Sequence, residues 1–152
     1  MEAAEEVFGG AVNHIAPRAT EHEISVDAPN ELLLVPMDAK LIEQVIINLL
    51  DNAVKHTVPK REIGIAAELC EDKDIVKFTV KDRGTGIRRK DLPNIFKMFY
   101  TSHVKYADAK KGIGLGLAIC ETIIKAHGGG IEARNRKSGS GAEFIFTLPM
   151  GD

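Results

Sequence analysis

Cysteine is scarce: the 152-residue chain holds two, Cys70 and Cys120, far apart and without a partner motif. That excludes a disulfide framework and a cysteine-based zinc site, and a reduced, cytoplasmic context is the expectation. Tryptophan is absent and aromatic residues make up only 5%. No long apolar run exists either. The longest, Val45 to Leu50, is broken by Asn48 and is far too short to span a bilayer. The opening Met1-Glu2-Ala3-Ala4-Glu5-Glu6 is acidic and unlike a signal peptide. Charge of one sign is also missing: the net charge of -2 gives no general pull toward nucleic acid or an anionic membrane.

What remains is an ordinary globular composition, 44% hydrophobic and 28% charged, at a length that fits one domain over 1–152. Val7, Phe8, Val12 and Ile15 have helical spacing, which predicts a helix from Glu5 to about Thr20. Glu23 to Val26 and Leu32 to Val35 read as short strands, with a turn signal at Ala28-Pro29-Asn30. Asp38 can cap a helix from Ala39 to about His56 whose core stripe is Leu41, Ile42, Val45, Ile46, Leu49 and Ala53. Ile63 to Leu69 and Val76 to Lys81 alternate as strands around a turn at Glu71 to Asp74. A turn-rich stretch, Asp82 to Pro93, leads to a short helical piece, Asn94 to Tyr100, and then to a polar basic loop, Thr101 to Lys111. A helix from Leu115 to His127 stops at three glycines, and a hairpin pairs Ile131 to Asn135 with Ala142 to Leu148. The sum is an α+β fold, a two-layer α/β sandwich with helices on one face of a mixed, mostly antiparallel sheet.

Three segments carry chemistry. Asn48, Asn52 and Lys55 stand at i, i+4 and i+7, so they share one helix face opposite the apolar stripe. Amide oxygens are neutral, hard donors suited to Mg2+, and Lys55 adds a point charge for phosphate. The same residues would also suit a solvated helix face. Asp82 ends a strand and begins Asp82-Arg83-Gly84-Thr85-Gly86-Ile87. Its carboxylate can accept the exocyclic amine of adenine and discriminate against guanine, while Gly84 and Gly86 let backbone approach a flat ring. A plain strand-ending turn would have the same composition. Lys111-Gly112-Ile113-Gly114-Leu115-Gly116-Leu117 precedes an apolar helix, and N–H groups at a helix start bind anions. Neither the G-x-G-x-x-G dinucleotide fingerprint nor the G-x-x-x-x-G-K-S/T phosphate loop fits it. Phe96, Phe99 and Tyr100 read as core anchors near the loop base rather than base stackers, and His56 as a residue at the site mouth.

Asn48 to Thr57 resembles the N box of two-component sensor histidine kinases. Asp82 to Ile87 resembles their G1 box, Ile95 to Tyr100 their F box, and Gly112 to Leu117 their G2 box. The order and spacing agree from about Pro36 to Pro149, and the stretch before the N box is most similar to potassium-responsive members. The resemblance implies the Bergerat ATP-binding fold, ATP with Mg2+ on Asn52 and Asn48, Lys55 near phosphate, Asp82 on adenine, and residues 101–111 as the ATP lid. It implies histidine kinase activity, with the γ-phosphate donated to a histidine on the kinase's own dimerisation domain and a cognate response regulator as further partner. No His-Glu-x-x-x-Pro segment is present, so the chain resembles the catalytic domain alone, the cytoplasmic portion of a membrane-anchored sensor. Thr101 stands where the family often has Arg. Two other readings are a nucleotide-binding regulatory module and an ATPase or serine kinase of the same fold. ATPases of that fold commonly carry Glu where this chain has Asn48, which argues against hydrolysis.

Overall fold

The computed structural model describes residues 1–28, 33–57, 61–97, 116–137 and 140–151. A five-stranded sheet forms one layer, in the order β2 (Glu23–Asp27), β4 (Glu62–Cys70), β5 (Ile75–Lys81), β7 (Ala142–Pro149), β6 (Gly130–Asn135). The β2–β4 pair is parallel and the others antiparallel. A separate two-stranded ribbon joins β1 (Glu2–Ala3) to β3 (Leu34–Val35). Three helices among the described residues, α1 (Ala4–Ile15), α2 (Ala39–His56) and α3 (Gly116–Ala126), pack on one face of the sheet.

Strand alternation decides which face that is. Ile63, Ile65 and Ala67 of β4, Val76, Phe78 and Val80 of β5, and Phe144, Phe146 and Leu148 of β7 all enter the same buried cluster as the helices. Register aligns Phe78 with Phe146, and their rings stack at 4.7 Å, while Phe8 of α1 meets Phe78 edge-on at 5.8 Å. Phe8, Phe78 and Phe146 are therefore concentrated where the two layers meet. Each fully buried ring or aliphatic side chain contributes about 1.5–3 kcal/mol of transfer free energy.

Helix α2 starts and stops where capping chemistry dictates. Asp38 accepts a hydrogen bond from the Leu41 N–H at 3.1 Å, satisfying one of the donors left open by the first turn. Its buried side chains are Ile42, Val45, Ile46, Ile47, Leu49, Leu50 and Ala53. Leu41 is instead 43% exposed. It lies seven residues before Asn48 and so falls on the polar face, whereas Ile47 and Leu50 are buried because α1 and α3 flank α2 as well. Helix α3 ends in a Schellman motif. Gly128 takes φ +79°, its N–H donates to the Lys125 carbonyl, and the Gly129 N–H donates to the Ile124 carbonyl. His127 then bridges the helices: its Nε2 accepts from the Asp38 N–H at 3.1 Å and its Nδ1 lies 2.8 Å from the Ile123 carbonyl.

Other differences from the sequence expectations have local causes. The strands β2 and β3 join different sheets, because β2 finds its partner only at Glu62–Cys70. The helical piece expected from Asn94 is a 3-10 turn over Leu92–Asn94, started by Pro93 near its first position, and no regular helix follows through Lys97. The rest of that piece and the loop 101–111 lie outside the described residues.

Cys120 sits at the seam of α2 and α3, with its thiol 3.7 Å from the Val45 carbonyl. Burial pushes this thiol up from 9.0 to about 12, with hydrogen bonding near Asn48 opposing the shift. The folded protein should therefore react with a thiol reagent at half-buried Cys70 and release Cys120 only on unfolding. Counting modified thiols with and without denaturant checks this; two fast thiols in the native state would contradict it. The sign for stability follows. Below pH 9.0 the thiol is neutral in both states, and between there and about pH 12 only the unfolded chain ionises, so stability falls as pH rises through that window.

Candidate functional site

Helix α2 is the spine of the site. Near its middle, Asn48 accepts from Gln44 Nε2 at 3.0 Å and donates through Nδ2 to the Gly116 carbonyl at 3.4 Å. That bond ties α2 to the first residue of α3. At the other end, a Cβ on Gly84 would overlap the His56 carbonyl oxygen and stand 2.8 Å from its carbon. The Asp82 loop is thus pressed against the last turn of α2. Asn48 and His56 are separated by about 12 Å along the helix axis. Helix α2 therefore touches Gly116 near its middle and the strand-end acid's loop at its last turn.

Asp82 is 4% exposed. Its Oδ1 accepts from the N–H groups of Gly84 at 2.9 Å and Ala142 at 3.0 Å. Among the described residues its Oδ2 takes no hydrogen bond. Half the carboxylate holds the loop and half is left to accept from something else. The loop is braced from behind by residues the sequence reading passed over. Asn135 accepts from the Ile87 N–H at 2.7 Å and donates to the Ile87 carbonyl at 2.9 Å, acting as a one-residue strand partner. Arg136 donates to the Asp82 carbonyl at 3.2 Å. A lone Asn at a strand end carries no motif, so only the fold reveals this role.

The two G1-box glycines serve the protein's own packing. Gly84 makes room for the His56 carbonyl, and Gly86 adopts φ +83° where a Cβ would lie 2.7 Å from Asn135 Oδ1. Phe96 packs edge-on to Phe144 at 6.2 Å, which makes it a core anchor. Leu117 is partly buried against the core and Gly116 is exposed. Phe99, Tyr100, Lys111, Gly112, Gly114 and Leu115 lie outside the described residues.

Charge is arranged along the same helix edge. Lys55 Nζ is 3.1 Å from Asp51 Oδ2, and Arg18 Nη1 is 3.0 Å from Asp51 Oδ1. Asn52 is half-buried and its amide makes no hydrogen bond among the described residues. The buried Thr57 hydroxyl likewise finds no partner there. The described residues contain no cluster of three His, Cys, Asp or Glu able to cage a cation. An ion here would rest on the Asn48 and Asn52 amide oxygens and on ligand oxygens and water, a donor set that suits Mg2+. No described helix is long and apolar enough to cross a membrane.

Known proteins share this sequence pattern and fold. Residues 37–152 match the family described as histidine kinase-, DNA gyrase B- and HSP90-like ATPase. The chain is 48% identical over 149 residues to the sensor protein KdpD of Clostridium acetobutylicum, covering 98% of this chain and 16% of that protein. It thus spans about a sixth of that relative's length. Among solved structures it is similar to the nucleotide-free catalytic domain of histidine kinase ThkA, with TM-score 0.83 and 30% identity over 99% of this chain and 97% of that one. It is also similar to ThkA in complex with response regulator protein TrrA, with TM-score 0.80 and 29% identity over 99% of this chain and 41% of that one. With boxes in register, a matching fold and these relatives, the chain belongs to the HATPase_c family as the catalytic domain of a sensor histidine kinase.

Proposed function

We propose that this domain binds ATP with Mg2+ and donates the γ-phosphate to a histidine imidazole on the dimerisation domain of its kinase, as one step of two-component signalling. The observation that carries this reading is the span of α2, with Asn48 at the α3 glycine and His56 at the Asp82 loop. In this reading Asp82 Oδ2 accepts from the adenine amine, Asn52 and Asn48 hold the ion, and Lys55 meets phosphate. When bound, the ion supplies charge neutralisation on the phosphate oxygens. The chain's own contribution is positioning: it fixes the base at one end of α2 and leaves the far end of the nucleotide at the other. Among the described residues no side chain has the setting of a general base, and a neutral acceptor nitrogen needs none.

The similarity to KdpD supports a potassium-linked stimulus, and the ThkA–TrrA complex supports a cognate response regulator as partner. We place the single domain at 1–152, with a lid over 101–111, in the cytoplasmic part of a membrane-anchored sensor.

Titration with a non-hydrolysable ATP analogue tests the reading. Asn52→Ala should weaken binding about tenfold or more in Mg2+, and leave metal-free ADP binding within about twofold, since one ion ligand is lost. Equal losses in both titrations would assign Asn52 a folding role and sink the metal assignment. Given ATP and a separate acceptor domain, the chain should label that domain's histidine and not itself; acid-labile phosphate on this chain would contradict the division of labour.

A further inference from the structure

We propose that Asp51 is a positioning residue for Lys55, and that Arg18 sets how firmly Asp51 holds it. The inference rests on the reading of Lys55 as the phosphate partner. Asp51 splits its carboxylate: Oδ1 faces Arg18 at 3.0 Å and Oδ2 faces Lys55 at 3.1 Å. The three side chains line one open cleft beside the C-terminal half of α2, together with His22 and Thr57. Side-chain exposures of 23% for Asp51 and 31% for Lys55 leave the pair within reach of water and of a ligand.

Lys55 shares its helix face with Asn48 and Asn52. A carboxylate hydrogen-bonded to an ammonium competes with any phosphate that needs the same donors. Asp51 therefore parks Lys55 along the helix. Arg18 weakens that hold, because it takes the other oxygen and offsets the Asp51 charge. Arg18 belongs to the 3-10 turn Ala16–Arg18 that follows α1. Displacing that turn would return the whole Asp51 charge to Lys55 and make the lysine less available. The end of α1 thus has an electrostatic line to the phosphate side of the site.

Part-exposed pairs have modest effects, so the changes expected are about two- to fivefold. Titrating this chain with an ATP analogue in Mg2+ and with adenosine reads them. Asp51→Asn should raise affinity for the analogue and leave adenosine unchanged, and Arg18→Gln should lower it. In a Lys55→Gln background neither substitution should have any effect. That last arm separates a relay through Lys55 from long-range charge, which would persist without the lysine. Persistence in the Lys55→Gln background, or no change from Asp51→Asn alone, would overturn the proposal. An analogue affinity untouched by Lys55→Gln itself would overturn the phosphate reading of Lys55, and the proposal with it. Unchanged adenosine binding across the set guards against misfolded variants.

Discussion

Asp82→Asn is expected to lower affinity for an ATP analogue by more than about a hundredfold while leaving the fold intact. The two halves of that expectation come from the two carboxylate oxygens. Oδ1 accepts from Gly84 and Ala142, and an asparagine oxygen can accept both bonds in the same place. The loop should therefore keep its shape. The other position changes from an acceptor to an NH2 donor. Facing the adenine amine, it loses a charge-assisted hydrogen bond of about 1.5–3 kcal/mol and adds a donor-against-donor contact. Facing the guanine carbonyl, the new donor is matched, so the preference for ATP over GTP should shrink or reverse. Paired titrations with the two nucleotides, alongside a thermal melt, measure all of this. An unchanged ATP-to-GTP ratio in a variant with native melting would remove Asp82 from base recognition. Asp82→Ala is the less informative variant. It would strip two buried N–H groups of their acceptor, and the structural damage would mask any ligand effect.

Gly84→Ala should be strongly destabilising for a single added methyl. A new Cβ would overlap the His56 carbonyl oxygen, and both partners are backbone, so no side chain can swing away. The loop must separate from the end of α2. Overpacking of this kind costs about 1–3 kcal/mol, and we expect the upper end here, a fall in melting temperature of about 6–12 °C. Because the displaced loop carries Asp82, analogue affinity should fall with it. The control is Gly9→Ala on α1, where a Cβ meets nothing within 4 Å and the helix gains propensity. A Gly84→Ala protein that melts like the parent would show that the contact relaxes at no cost and that the loop is not wedged against α2.

The limits of α2 were legible because both signals are local. Asp38 has the chemistry of a cap, and the sequence Thr57-Val58-Pro59 directly after His56 is a stop signal. The glycine stop after α3 was legible for the same reason, a fixed offset between the last turn and Gly128. Long-range partnership was not. Nothing within Glu23–Asp27 says that its neighbour is Glu62–Cys70 or that the neighbour runs parallel. Periodicity also assigned Leu41 to the core although it shares the polar face of Asn48, and it left out Ile47 and Leu50 because a stripe drawn for one buried side cannot foresee α1 and α3 flanking the helix as well. In the site, Asn48, Asn52 and Lys55 were legible as one face of α2 and Asp82 as the residue that follows β5, whereas the close contacts at Gly84 and Gly86 were not. Their missing side chains make way for a carbonyl and for Asn135, which only the folded chain brings near. Arg18 and Asp51 stand 33 positions apart and carry no shared pattern, so their pairing could not be foreseen.

The reciprocal amide pairing of Asn135 with Ile87 has a thermodynamic corollary. Asn135 closes the strand that is zipped to Ala142–Pro149, whose phenylalanines are set in the interlayer core. The wall holding Asp82 thus inherits the stiffness of the sheet. A ring docking there meets acceptors already aimed, so little conformational entropy remains to be lost on that side. On the other side, the bond from Asn48 to Gly116 at the start of α3 is, at 3.4 Å, longer than those that hold the Asp82 loop. Tuning of affinity by remote events is cheapest at that longer bond, so nucleobase selectivity should stay constant while grip on the remainder of the ligand is adjusted.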